Sequence, residues 1–139
     1  MNYIDLGLPS GTLWATENEN GYFTYNEAVM KFKENMPTKE QWKELFDNTT
    51  SDWITVDGVN GRKFTADNGN SIFLPADGYF DDSERDVYYA GSNGYYWALT
   101  FDESLSNSAW GMDFDFGYQL VSSYGCEFGE SVRLVKTNK

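Results

Sequence analysis

Thr24 is followed at the third position by Glu27, and Thr38 by Gln41, and each pair leads into an apolar run with helical spacing. A hydroxyl that accepts from the backbone three residues on, with a Glu or Gln reaching back, is a capping box, so the chain carries two helix starts in quick succession. Tyr25, Ala28, Val29 and Phe32 fall on one face of the first helix. The second begins after Pro37 and puts Trp42, Leu45 and Phe46 on its apolar side. Before the helices, Tyr3–Leu6 and Thr12–Thr16 read as strands around a Gly7–Gly11 turn. After Asn48 the pattern changes to short strands broken by turn residues: Trp53–Val56, Gly61–Ala66, Ser71–Pro75, Tyr95–Phe101, Ala109–Phe116, Gln119–Ser122 and Ser131–Lys136. Residues 77–94, rich in Asp, Gly and Ser, read as a long ordered loop. Helices early and strands late give one α+β domain over residues 1–139.

A chain of 139 residues encloses a hydrophobic core without disulfides, and Cys126 alone can form no intrachain bridge. Ten basic against twenty-two acidic side chains leave a net charge of −12, which repels nucleic acid and anionic membranes. No stretch is long and apolar enough for membrane insertion, and Met1–Asp5 does not resemble a signal peptide. Five Trp, ten Tyr and ten Phe stand against no His and one Cys. Aromatic area grips partners and fills cores, whereas His and Cys run much of enzymology, so the composition favours holding a surface over chemistry.

The same census removes zinc sites and Cys/His nucleophiles, and no Gly-rich phosphate cradle separates a strand from a helix. Asp113 and Asp115 share a strand face, as a pair for glycoside hydrolysis would, but solvated acids are the simpler reading in so acidic a chain. Asp77, Asp81, Asp82, Glu84 and Asp86 crowd one loop in a manner that suits calcium, yet their spacing is not that of an EF-hand, and a charged, solvated loop explains them. No metal and no cofactor is assigned. Alternation over residues 109–116 puts Trp110, Met112, Phe114 and Phe116 on a core face and Gly111, Asp113 and Asp115 on a wet one.

Ile4-Asp5-Leu6-Gly7-Leu8-Pro9-Ser10-Gly11-Thr12-Leu13-Trp14-Ala15-Thr16 resembles the opening of the Fibrobacter succinogenes major paralogous domain, abundant in Bacteroidetes surface proteins. Met36–Trp42, Gly69–Tyr79, Gly94–Trp97 and Ser131–Val135 extend the likeness in family order. The resemblance implies a C-type-lectin-like fold: two short helices packed on a small twisted, mainly antiparallel sheet, with long ordered loops. It implies core positions for Trp14, Trp42, Trp53 and Trp97. Formylglycine-generating enzymes share that fold class but rely on a cysteine pair, absent here. The fold class also includes the variable proteins of diversity-generating retroelements, whose ligand face is built from the C-terminal strands and loops. Here that face would comprise Leu99, Phe101, Asp102, Glu103, Ser104, Asn107, Asp113, Tyr118, Gln119, Ser122, Tyr124 and Glu127. Rigid Tyr rings among small polar residues resemble paratope chemistry. The family often ends Gly-Phe-Ser-Val-Arg-Pro-Val, where this chain has Gly129-Glu130-Ser131-Val132-Arg133-Leu134-Val135. Glu130 in that apolar slot is either a local repacking with Phe128 moving in or a functional substitution. The expectation is a non-catalytic recognition or adhesion domain that binds a protein or glycan ligand, displayed on a cell surface or a virion. The alternative is a structural or assembly domain of a bacterial surface or phage-tail protein. A deep pocket holding two carboxyls of split pKa would bring an enzyme back into consideration.

Overall fold

The computed structural model describes residues 2–137. Both helix starts form as their side chains dictate. Thr24 Oγ1 accepts from Glu27 N at 3.3 Å while Glu27 Oε1 accepts from Thr24 N at 2.9 Å, opening α1 (Tyr25–Phe32). Thr38 and Gln41 make the same exchange at 3.1 and 2.8 Å and open α2 (Lys39–Asp47). These are the two α-helices among the described residues, and neither is long or apolar enough to cross a membrane.

The strands form antiparallel groups, so the architecture is α+β. β1 (Tyr3–Asp5), β2 (Thr12–Ala15) and the C-terminal strand make one sheet. β3 (Thr49–Val56), β4 (Val59–Ala66) and β5 (Ser71–Pro75) make a second, and β6 (Tyr79–Asp81) and β7 (Asp86–Tyr88) a hairpin. β8 (Gly94–Phe101), β9 (Ser108–Phe114) and β10 (Gln119–Gly125) make the sheet that carries the site, with β9 in the middle. β11 (Val135–Thr137) closes on β2.

Three expectations change. The 77–94 loop contains the β6–β7 hairpin, whose three-residue strands are too short for alternation to show in sequence. The strand expected from Ser131 is a single bridge there and pairs with β2 only from Val135. The strand expected to reach Phe116 ends at Phe114, because Asp115 Oδ1 accepts from Gly117 N at 2.7 Å and Tyr118 N at 3.1 Å and turns the chain. Phe116 is therefore 75% exposed rather than in the core.

One core lies between α2 and the strands, with Trp14, Trp42, Leu45, Phe64, Leu74, Tyr96, Met112 and Phe114 buried in it. A second lies under α1, where Ala28, Phe23, Met36, Trp97, Ala109 and Val132 are buried. Burying each large apolar side chain stabilises the fold by about 1.5–3 kcal/mol. Trp53 is only half-buried, since β3 is an edge strand. The β8–β9–β10 sheet thus has α2 on one face through Tyr96, Met112 and Phe114, and α1 on the other through Trp97 and Ala109. α1 is only eight residues long and covers one end of that second face.

Arg133 is buried at 1% exposure with every nitrogen engaged. Its Nε donates to Asn18 Oδ1 at 2.8 Å, and its terminal nitrogens donate to Ala15 O at 3.0 Å and Phe73 O at 2.6 Å. It joins β2, the 16–20 segment and β5.

Candidate functional site

Side chains alternate along a strand, so Ala109, Gly111 and Asp113 share the face of β9 turned away from α2. Opposite them on that face stand Tyr95 of β8, paired with Asp113, and Ser122 and Tyr124 of β10, paired with Gly111 and Ala109. Gly111 lets the Tyr124 ring lie along β9. A Cβ on Gly111 would stand 3.3 Å from that ring and 2.5 Å from Tyr96 O. Asp113 stands four strand residues, roughly 13 Å, from Tyr124's partner Ala109, a gap the Tyr124 ring over Gly111 and the Asp113 side chain close between them, so that the phenol donates to Asp113 Oδ2.

The neighbouring chain segment brings a second carboxyl. Glu130 is fixed by its backbone, which exchanges hydrogen bonds with Phe23 at 2.8 and 2.9 Å. Gly129 before it exchanges two with Phe80, at 2.8 Å each, and Ser131 after it bonds to Tyr95 and Trp97. Held on three sides, the Glu130 side chain cannot swing to solvent and is 2% exposed. Asp113 is 6% exposed. Asp113 Oδ1 and Glu130 Oε1 are both buried without a hydrogen-bond partner. Burial, and then Asp113, push the Glu130 carboxyl well above the ordinary carboxylate range.

Aromatic rings wall this floor. Tyr79, Tyr95, Tyr124, Gly125, Phe128 and Glu130 line an opening of about 180 Å³. Tyr79 meets Tyr95 edge-on at 5.1 Å and Phe128 at 5.3 Å, and Tyr95 meets Tyr124 at 6.1 Å. Burial, and then Asp113, raise Tyr95 to about 12. Burial and then the Asp113 hydrogen bond raise Tyr124, while Tyr118 is raised first by its approach to Asp113 and then by burial. The phenols therefore stay protonated at neutral pH and present rings and hydroxyls, never charge.

The expected ligand residues divide between the two ends of the sheet. Of these, Tyr124 lines the pocket and donates to Asp113, which lies outside the lining, and Tyr118, 40% exposed, approaches Asp113 from a separate depression it lines with Trp53 and Phe116. Ser122 lies on the same face, half-buried. Glu127 is exposed beside Phe128 and borders an adjoining groove with Glu27, Asp81 and Asp82. Asn107 sits at the turn into β9 with φ of 54°, a left-handed conformation that Asn tolerates, and lines a shallow depression with Glu127. Leu99, Phe101, Asp102, Glu103 and Ser104 lie at the far end of β8. Leu99 is half-buried and accepts from the Tyr25 phenol; Phe101 is 48% exposed against Tyr25. Glu103 is exposed. Gln119 pairs with Phe114 on the other face.

Two readings are corrected. Asp102, expected to set the polarity of an exposed patch, is 4% exposed and forms a turn: its Oδ1 accepts from Ser104 N at 2.9 Å and Ser104 Oγ at 2.6 Å, which lowers its pKa. The wet face of β9 is not wet, because Tyr124 and Tyr95 lie over Gly111 and Asp113. Tyr79, Tyr95, Phe128 and Glu130 were not among the expected ligand residues. For Glu130 the signal was present, as an acid in a slot that resembles an apolar one, and Phe128 and Glu130 line the pocket together.

Two of the acids in the 77–86 segment make local turns, Asp81 with Ser83 and Asp86 with Val87 N. Among the described residues no three His, Cys, Asp or Glu side chains stand close enough to hold a metal.

The sequence model of one protein family, described as a domain of unknown function (DUF8237), matches residues 47–135. The chain belongs to that family. No curated protein and no solved structure matches it. The DUF8237 segment runs from the end of α2 to the start of β11 and holds every residue of the pocket, while α1 and its capping box lie outside it.

Proposed function

We propose that this chain is a non-catalytic recognition domain with a C-type-lectin-like fold, which binds a protein ligand through the aromatic and acidic pocket at Asp113 and Glu130. The carrying observation is the buried, unpartnered Glu130 Oε1 in an opening lined by four aromatic side chains, with the unpartnered Asp113 Oδ1 near enough to act on the Glu130 carboxyl. Leaving a buried acceptor unsatisfied costs about 1–3 kcal/mol, so a fold that keeps two of them fits one that a ligand completes. The opening of about 180 Å³ is smaller than the roughly 300–1,000 Å³ of small-molecule and cofactor clefts. It suits one projecting side chain better than a sugar chain. The fold assignment draws on the order of two capped helices followed by strands, and on the family likeness of the blocks at residues 4–16, 36–42, 69–79, 94–97 and 131–135. Display on a cell surface or a virion follows from the same likeness, as does diversification by a retroelement, which a template repeat beside a reverse transcriptase gene would reveal.

The test is a surface-proteome pull-down with the wild type and a Tyr79→Ala, Tyr124→Ala double variant, the latter shown by circular dichroism to be folded. A protein captured by the wild type and released by the variant is the expected result. Equal capture by both would refute the assignment of the face.

A second reading has its own observation. Phe116, Tyr118 and Leu120 are 75%, 40% and 41% exposed on one flank of the sheet, and an apolar flank of this kind favours assembly of identical chains. A discrete oligomer in sedimentation, dissolved by Phe116→Ser, would support an assembly domain.

A further inference from the structure

We propose that the pocket binds one cationic side chain, lysine or arginine, of a partner protein; this rests on the recognition reading above and names the chemistry of its ligand. The floor decides the sign. Glu130 lines the opening with its Oε1 lacking a donor, and Asp113, held by the Tyr124 phenol outside the lining itself, keeps a second acceptor, Oδ1, without one; both residues are more than nine-tenths buried. What complements two buried acceptors is a group that only donates, and ammonium and guanidinium are the side chains that donate without accepting. A carboxylate or phosphate would bring only further acceptors to a floor that already has acceptors without donors.

The walls point the same way. Tyr79, Tyr95, Tyr124 and Phe128 turn aromatic rings on the opening, and a cation within about 6 Å of such rings is attracted to their negative faces. The rings also take the aliphatic stem of a lysine or arginine. A bare metal ion lacks enough ligands, since no three candidate side chains converge among the described residues.

Among the described residues no cation lines the opening. Arg133, the chain's buried cation, gives all its nitrogens to Asn18, Ala15 and Phe73. The surroundings extend the argument to the partner: beyond Phe128 the adjoining groove is bordered by Glu27, Asp81, Asp82 and Glu127, with no basic residue in its lining. A basic segment would place one side chain in the pocket and its neighbours along this acidic rim, in keeping with the net charge of −12.

The experiment titrates the ¹⁵N-labelled chain with acetylated, amidated pentapeptides carrying Lys, Arg, norleucine or Glu between glycines. The readout is the amide shifts of Tyr95, Gly125, Phe128 and Glu130. Saturable shifts with Lys or Arg are expected, with none from norleucine or Glu at the same concentrations, and the stronger of the two cations identifies the occupant. Glu130→Gln and Tyr79→Leu, with unchanged shifts elsewhere as proof of folding, should each weaken binding at least tenfold. The inference is overturned if norleucine binds as well as lysine, if Glu130→Gln binds lysine unchanged, or if no peptide moves these amides. In that event a protein still captured by the wild type and lost in the Tyr79, Tyr124 variant leaves the recognition reading intact. Loss of that capture as well removes both.

Discussion

Arg133 and Glu130 lie three residues apart, both are almost fully buried, and the fold treats them in opposite ways. Arg133 has a partner for each nitrogen and joins three segments of chain. Glu130 is fixed as firmly by its backbone, yet its side chain has an orphan oxygen and an acid for a neighbour. A buried charge with its hydrogen bonds complete is a structural joint; one held in place and left incomplete is a site awaiting its partner. The same contrast divides the two faces of the β8–β9–β10 sheet. The α2 face is closed by Tyr96, Met112 and Phe114, while the other face ends in an opening where α1 stops short.

The contrast breaks first at Arg133. Arg133→Met strands two backbone carbonyls and Asn18, and the urea midpoint should report a loss of roughly 3–5 kcal/mol. A loss under about 1 kcal/mol, as for an ordinary surface change, would mean that Arg133 is no joint. Next comes Tyr124→Phe, which keeps the ring but removes the bond to Asp113; a destabilisation of roughly 1.5–3 kcal/mol is expected in the same assay. Glu130→Gln should act in the opposite direction, raising stability at neutral pH by roughly 1–3 kcal/mol while weakening binding of the lysine peptide at least tenfold. A variant both less stable and unable to bind would make Glu130 structural like Arg133.

The pH dependence sharpens the same point. The Glu130 carboxyl sits above its unfolded value in the folded chain, so between the two values the folded state holds a proton that the unfolded state has lost. Stability therefore rises as pH falls through the folded value and is fully gained once the ordinary carboxylate range is passed. Asp77, raised by burial, adds to this trend; Asp102, lowered by its Ser104 bonds, opposes it only in more acid solution. Subtracting the Glu130→Gln curve isolates the Glu130 contribution, and a flat difference between pH 8 and 5 would contradict its cause. The smallest effect is expected at the caps, where Thr38→Ala should cost about 1 kcal/mol and leave peptide binding untouched.

The parts of the fold governed by local chemistry were legible in the sequence. Capping boxes are written within four residues, and Thr24–Glu27 and Thr38–Gln41 form as expected. Alternation located β9 and its buried Met112 and Phe114. What it could not show is what lies across the other face. Asp113 reads as an outward acid until Tyr124, eleven residues on, is laid over Gly111 to meet it. Tyr79 and Phe128 reach the pocket from separate elements, so their meeting is a matter of topology. Glu130 is conspicuous as an acid in a slot that resembles an apolar one of the likened family, but its burial depends on backbone bonds to Phe23 and on the neighbours held by Phe80 and Tyr95. Asp102 looked like surface because an acid that makes a turn has the same one-letter sequence as an acid that faces water.

The most direct measurement of the central claim is a carboxyl ¹³C titration of the glutamate-labelled chain, with and without the lysine pentapeptide. Glu130 should titrate well above the ordinary glutamate range in the free protein and move down when the peptide is bound, because an arriving cation favours the ionised carboxylate. A Glu130 signal that titrates within the ordinary range and ignores the peptide would contradict the account.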